Sequence, residues 1–133
     1  MKAFNVGIKG VITRSDGAVL LLKKNEAKSF WEVPGGRIDG NESIEQTLER
    51  EIQEELPGSS DIKIDRILCA HRLPKDIAKD VSLMLIYYQV SVTLPDVIKL
   101  SEEHTDYTWI QSLDDLPLDG GTFKALKVIF NKR

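Results

Sequence analysis

The sequence predicts an α/β (α+β) fold, a mixed β-sheet held between helices, on three observations. Segments of strand character lie on both sides of one capped helical segment at residues 43–56. Residues 82–93 are apolar on both faces of a strand, and the chain closes on an amphipathic helical segment at 122–130.

The elements follow in order. Residues 5–13 carry Val6, Ile8 and Val11 in strand spacing, Ser15-Asp16-Gly17 reads as a hairpin turn, and 18–22 is a buried strand, so a hairpin is expected to open the fold. Residues 25–29 form a polar loop and 31–33 a short strand. Pro34-Gly35-Gly36 is a break where the backbone can approach another group closely. The helix begins after Asn41, with Ser43 and Gln46 in capping-box spacing, and stops at Leu56-Pro57-Gly58 because a residue before proline disfavours α geometry. Residues 62–72 and 82–93 are strands, the second with Leu83, Leu85 and Tyr87 opposite Met84, Ile86 and Tyr88. Between them 73–80 is a charged loop, and 95–104 is an irregular segment able to reach back over a site. Residues 107–110 form a strand and 113–116 a short helical turn. Residues 122–130 place Phe123, Leu126, Ile129 and Phe130 at helical spacing.

At 133 residues, 41% hydrophobic and 29% charged, the composition is that of one globular domain spanning 1–133. Cys69 is the single cysteine, which excludes an intrachain disulfide, points to a reducing compartment and is expected to be a core thiol. No continuous apolar region follows Met1 and Lys2, and the longest apolar stretch, 81–90, is interrupted by Ser82 and Gln89 and is too short to span a bilayer. A cytoplasmic protein is expected. The net charge of −3 divides unevenly: residues 42–55 hold six glutamates and one arginine, a net of −5, leaving +2 elsewhere. No basic stripe is available for a nucleic-acid polymer, and a phosphate-bearing ligand can approach this helix only through bridging cations.

That helix holds the chemistry. Glu51, Glu54 and Glu55 stand at i, i+3 and i+4, on one helical face, and in the last turn, where the macrodipole is already negative. Each placement there costs roughly 0.3–1 kcal/mol. At about 100° per residue, Glu51 and Glu55 fall within about 20° of Ile44 on the stripe formed with Leu48, Ile52 and Leu56, so these carboxylates border the core. Partly desolvated like charges raise one another's pKa or recruit a counter-ion, and a hard divalent cation, Mg²⁺ or Mn²⁺, suits oxygen ligands.

Gly36, Glu42 and then Arg50-Glu51-Ile52-Gln53-Glu54-Glu55, preceded by Trp31-Glu32-Val33-Pro34-Gly35, resemble the Nudix box and its lead-in, here at 36–58. One position departs: Pro57 stands where the family usually has glycine, followed by Gly58, which shifts the turn chemistry by one residue. The resemblance implies an α/β/α sandwich and a hydrolase that cleaves a phosphoanhydride in a nucleoside diphosphate linked to another group, using Mg²⁺ and water. It implies Glu54 and Glu55 as metal ligands, joined by the Gly35 carbonyl. Glu51 becomes a ligand or part of the base system, Arg50 an orienting residue and Glu42 a support of the loop. No residues are implied for an organic cofactor.

Residues 100–109, Leu-Ser-Glu-Glu-His-Thr-Asp-Tyr-Thr-Trp, resemble a pattern found after the box in several Nudix subfamilies, which implies Glu103 as a further ligand or general base. His104, Arg14, Lys23 and Arg37 are candidate phosphate contacts. Pro74, 16 residues beyond Gly58, resembles a placement in ADP-ribose hydrolases, whereas the 100–109 segment resembles dinucleoside polyphosphate and nucleoside triphosphate hydrolases. The reading leans to a (deoxy)nucleoside triphosphate or related nucleotide, handled by a monomer or homodimer without a membrane or nucleic-acid partner. The alternatives are ADP-ribose or dinucleoside polyphosphate hydrolysis, a non-catalytic nucleotide-sensing module, and, further behind, isomerase chemistry on an isoprenoid diphosphate.

Overall fold

The computed structural model describes residues 1–24, 30–113 and 116–131. The expected polar loop at 25–29, and positions 114–115 of the expected helical turn, lie outside the described residues. The element order is β1 (Ala3–Ile12), β2 (Val19–Lys24), β3 (Trp31–Glu32), β4 (Gly35–Arg37), α1 (Ile44–Glu55), β5 (Ser60–Arg72), β6 (Val81–Thr93), β7 (His104–Ile110) and α2 (Gly120–Phe130).

The strands form two sheets, a mixed one in the order β4-β1-β6-β5 and an antiparallel one in the order β3-β2-β7. In the first, β1 runs parallel to β6 from Ala3↔Val81 to Ile12↔Val90 and antiparallel to β4. This corrects the opening hairpin. The turn forms, with the Gly17 N–H donating to the Arg14 carbonyl at 2.9 Å and the Arg14 N–H to Ala18 at 2.8 Å. Beyond the Thr13↔Val19 bridge, however, β1 and β2 part into different sheets. Both strands are buried on both faces, and the ladders offered by β6 and β7 are longer than any hairpin between them.

The layering follows from strand alternation. Ile8, Ile12, Leu20, Leu22 and Val90 pack with Leu48, Ile52 and Leu56 of α1 in one core. Val11, Val19, Leu21 and Tyr87 pack with Ala125 and Leu126 of α2 in the other. The expected two-faced strand is therefore β6, with Leu85 and Tyr87 toward α2 and Ile86 and Tyr88 toward α1. Cys69 packs, half-buried, against the α2 core.

α1 begins at the capping box, the Gln46 N–H donating to Ser43 Oγ at 3.1 Å and the Ser43 N–H to Gln46 Oε1 at 2.9 Å. It ends at Glu55, after which Gly58 takes φ +91°, so the residue following Pro57 supplies the left-handed conformation the turn needs. The expected break at Pro34-Gly35-Gly36 is shorter than anticipated, because both glycines join β4 and pair with Lys9 and Ile8. β7 begins at His104, three residues before the expected strand. Among the described residues no helix is long and apolar enough to cross a membrane.

Candidate functional site

The turn into β4 needs glycine for two separate contacts. Gly35 sits at φ +145°, and a Cβ there would collide with the Ile8 carbonyl; a Cβ on Gly36 would collide with the Glu51 carboxylate. The β4 backbone is thereby brought against the acidic face of α1. The Gly35 N–H donates to Glu55 Oε2 at 2.9 Å.

Arg50 ties this turn to the helix. Its Nε donates to Glu42 Oε2 at 2.6 Å, and its outer nitrogens donate to Glu42 Oε1 at 2.9 Å, to the Arg37 carbonyl at 3.1 Å and to Glu51 Oε2. Glu42 also accepts from the Asp39 N–H at 2.9 Å and the Thr47 hydroxyl at 3.1 Å. The Arg50 guanidinium, with the Asp39 N–H, holds the Glu42 carboxyl down to about 2. Arg50 thus holds Glu51 from one side and the loop from the other.

Glu55 lies at the centre, only 4% exposed. Burial pushes its carboxyl up to about 8, against the opposing effects of Lys9 and the Gly35 N–H, and the charges of Glu51 and Glu103 push the same way as burial. Glu103 arrives from the loop before β7. The Ser101 N–H donates to the Glu55 carbonyl at 3.2 Å, the His104 N–H to the Ser101 carbonyl at 3.2 Å, and the Glu103 N–H to Ser101 Oγ at 3.4 Å. The loop is thus fastened to the end of α1, and ligand atoms of Glu55, Glu103 and His104 lie within 4.8 Å of one another. Gly35, Glu51, Glu55 and Glu103 are brought together. Glu54 stands apart, its side chain 61% exposed and 3.7 Å from Arg50, over a shallow depression shared with Gln46, Glu49 and Gln53.

This donor set fits a hard divalent cation. Carboxylate oxygens predominate, and the buried Glu55 is held among like charges that a cation would offset. His104 Nε2 is engaged with Glu32 Oε2 at 2.9 Å, and among the described residues its Nδ1 is buried without a hydrogen-bond partner.

Two residues here escaped sequence reasoning. Glu32 faces His104 through one oxygen, while the other lies 3.7 Å from Lys9 Nζ and 3.9 Å from Lys24 Nζ. Burial would raise the Glu32 carboxyl, but the His104 hydrogen bond and the two lysines hold it below the usual range. The available signal was a lysine at a core-facing position: Lys9 shares a face of β1 with Val11 and is 9% exposed.

Beside Lys9 and Gly36 opens a cleft of about 470 Å³ on the α2 side, its walls formed by Leu73, Leu83, Leu85 and Tyr87. Pro74 and Arg37 also line it. Arg14 and Lys23 do not; Arg14 pairs with Asp16 and stacks 4.5 Å from the Trp109 ring, and Lys23 lies over Trp31 at 5.9 Å.

Comparison with known proteins follows the same outline. The NUDIX domain family profile matches residues 3–130. A curated relative, the nucleoside triphosphatase NudI of Escherichia coli, is 27% identical over 135 residues, covering 88% of this chain and 91% of its own. The crystal structure of a MutT NUDIX hydrolase from Burkholderia pseudomallei superposes with a TM-score of 0.72 at 28% identity, over 95% of this chain and 98% of that one. An ADP-ribose pyrophosphatase from Streptococcus suis shares the fold at 19% identity, with a TM-score of 0.64 over 94% and 88% of the two chains.

Proposed function

The chain belongs to the NUDIX domain family and is a Nudix pyrophosphohydrolase, and on that premise we propose that it cleaves a (deoxy)nucleoside triphosphate or related nucleotide with the help of Mg²⁺. One observation carries this reading: Glu51, Glu55 and Glu103 converge beside Gly35-Gly36 at the end of a cleft of nucleoside size. The relative named a nucleoside triphosphatase covers 88% of the chain, which supports the substrate class.

Glu51, Glu55 and Glu103, with the Gly35 carbonyl and Glu54 swung in from solvent, would hold Mg²⁺ or Mn²⁺. A cation held there would supply charge neutralisation at the phosphoryl oxygens and a lowered pKa for an attacking water. Arg50 fixes Glu51 through a charge-assisted bond. Glu103 serves as a ligand or, in its place, as the general base, because among the described residues no cationic side chain engages its carboxylate, whereas Arg50 engages that of Glu51. The same reading takes 1–133 as one cytoplasmic domain, monomer or homodimer, acting on a free nucleotide.

A second reading, ADP-ribose, is favoured by Pro74 on the cleft wall. A panel of nucleoside triphosphates, ADP-ribose and dinucleoside polyphosphates incubated with Mg²⁺, with products separated by chromatography, decides between them. Release of a monophosphate from a triphosphate is expected. Faster cleavage of ADP-ribose would replace the substrate, and tight binding of one nucleotide without turnover of any would replace catalysis with sensing.

A further inference from the structure

Lys9 is a buried cation with too little to hold. It lies in the middle of β1, 9% exposed, on the strand face that enters the α2 core, where alternation calls for an apolar residue. Burying an ammonium costs several kcal/mol unless it is paired and hydrogen-bonded. Among the described residues the one carboxylate within 4 Å is Glu32, at 3.7 Å, beyond hydrogen-bond length. That oxygen, Oε1, is shared with Lys24 at 3.9 Å, and the other, Oε2, is taken by His104. The Lys9 ammonium therefore keeps donors free toward the cleft it lines.

Its position identifies what it would meet. Lys9 pairs in register with Gly35, whose N–H holds Glu55, and its charge is felt at Glu55. Across β1 on the opposite side it pairs in register with Tyr87 of the cleft wall, and Gly36 beside Gly35 also lines that cleft. The ammonium thus stands at the neck between the carboxylate cluster and the apolar cleft. A nucleotide with its diphosphate at the carboxylates and its nucleoside in the cleft passes one phosphate through that neck, the one joined to the nucleoside.

We propose that Lys9 binds the nucleoside-proximal phosphate of the substrate, a contact that rests on the nucleotide reading above. Glu32, clamped by His104, positions the ammonium without neutralising it at bonding distance. This makes Lys9 a substrate-contacting residue that discriminates a phosphorylated from an unphosphorylated nucleoside.

Calorimetric titration tests this in Mg²⁺ buffer with AMP and UMP, which have no anhydride to cleave, against adenosine and uridine. Lys9→Met is expected to weaken monophosphate binding tenfold or more while leaving nucleoside binding unchanged, and to raise KM for the triphosphate by a similar factor. Lys9→Arg should restore part of the loss, and Lys9→Gln serves if the methionine variant melts early. Equal monophosphate affinity in wild type and variants overturns the assignment, as does parallel loss of nucleoside and monophosphate binding, the mark of a structural ion pair. Failure of the wild type to bind any of the four ligands or a triphosphate would instead overturn the nucleotide reading, and this contact with it.

Discussion

The two faces of the strand layer have opposite electrostatic deficits. On the α1 side Glu51, Glu55 and Glu103 converge, and the Arg50 guanidinium that engages Glu51 is shared with Glu42. On the α2 side Lys9 lacks a bonded acceptor and the Tyr87 hydroxyl is buried without a partner among the described residues. One face is short of cations, the other of polar ligand atoms. A metal–nucleotide complex would supply both at once, and each deficit costs stability in the free protein.

The comparison breaks most readily at Glu55. Replacing it with glutamine keeps the shape and removes the carboxylate that a cation would ligate. Glu55→Gln is expected to lower kcat on the order of 10²–10³-fold, with binding of the nucleoside in the cleft unaffected. Wild type should gain about 2.7 kcal/mol of stability at a Mg²⁺ concentration 100 times its Kd, and the variant almost none. Steady-state kinetics with melting curves in Mg²⁺ and in chelator check both, and an undiminished cation response in Glu55→Gln would remove Glu55 from the ligand set.

The α1 face was readable in the sequence because its parts are consecutive. Helical spacing at 100° per residue put Glu51 and Glu55 beside the apolar stripe, and Glu55 is indeed buried while Ile52 and Leu48 fill the core. The same spacing grouped Glu54 with them, yet Glu54 projects into solvent, because the helix turns that edge away from β4. The α2 face was not readable. Lys9, Leu85, Tyr87 and Gly121 come from three separate elements, and their meeting depends on β1 pairing with β6 rather than with β2. No local pattern announces a parallel ladder between residues some eighty positions apart, and the visible turn at Ser15-Asp16-Gly17 argued for the wrong partner.

Gly121 separates the two faces by a smaller step. A Cβ there would collide with the Tyr87 hydroxyl at the back of the cleft. Gly121→Ala is expected to cost about 1–3 kcal/mol by overpacking, offset by up to about 1 kcal/mol of helix preference, so Tm falls by several degrees. KM should rise while kcat at saturation stays near wild type, since the carboxylate cluster lies on the other side of the sheet. A fall in kcat with KM unchanged would show that the faces are mechanically coupled.

Tyr87→Phe is the mildest change and the sharpest probe of the polar deficit. The hydroxyl is buried in the α2 core near Thr122 without a hydrogen bond of full geometry among the described residues, and burial raises its pKa against the opposing effect of Thr122, holding the phenol protonated. Leaving such a group unpaired costs about 1–3 kcal/mol, and an apolar replacement of the same shape removes that cost. The ligand-free variant should therefore melt higher, by the equivalent of about 1 kcal/mol. If the hydroxyl completes its bonding with the bound nucleoside, the same variant loses about 0.5–1.5 kcal/mol of binding, read as a KM several-fold higher. A gain in stability paired with a loss in affinity is the signature of a group held in reserve for a ligand. A variant that melts lower than wild type would place the hydroxyl in an internal bond, and the α2 face would then carry its deficit at Lys9 alone.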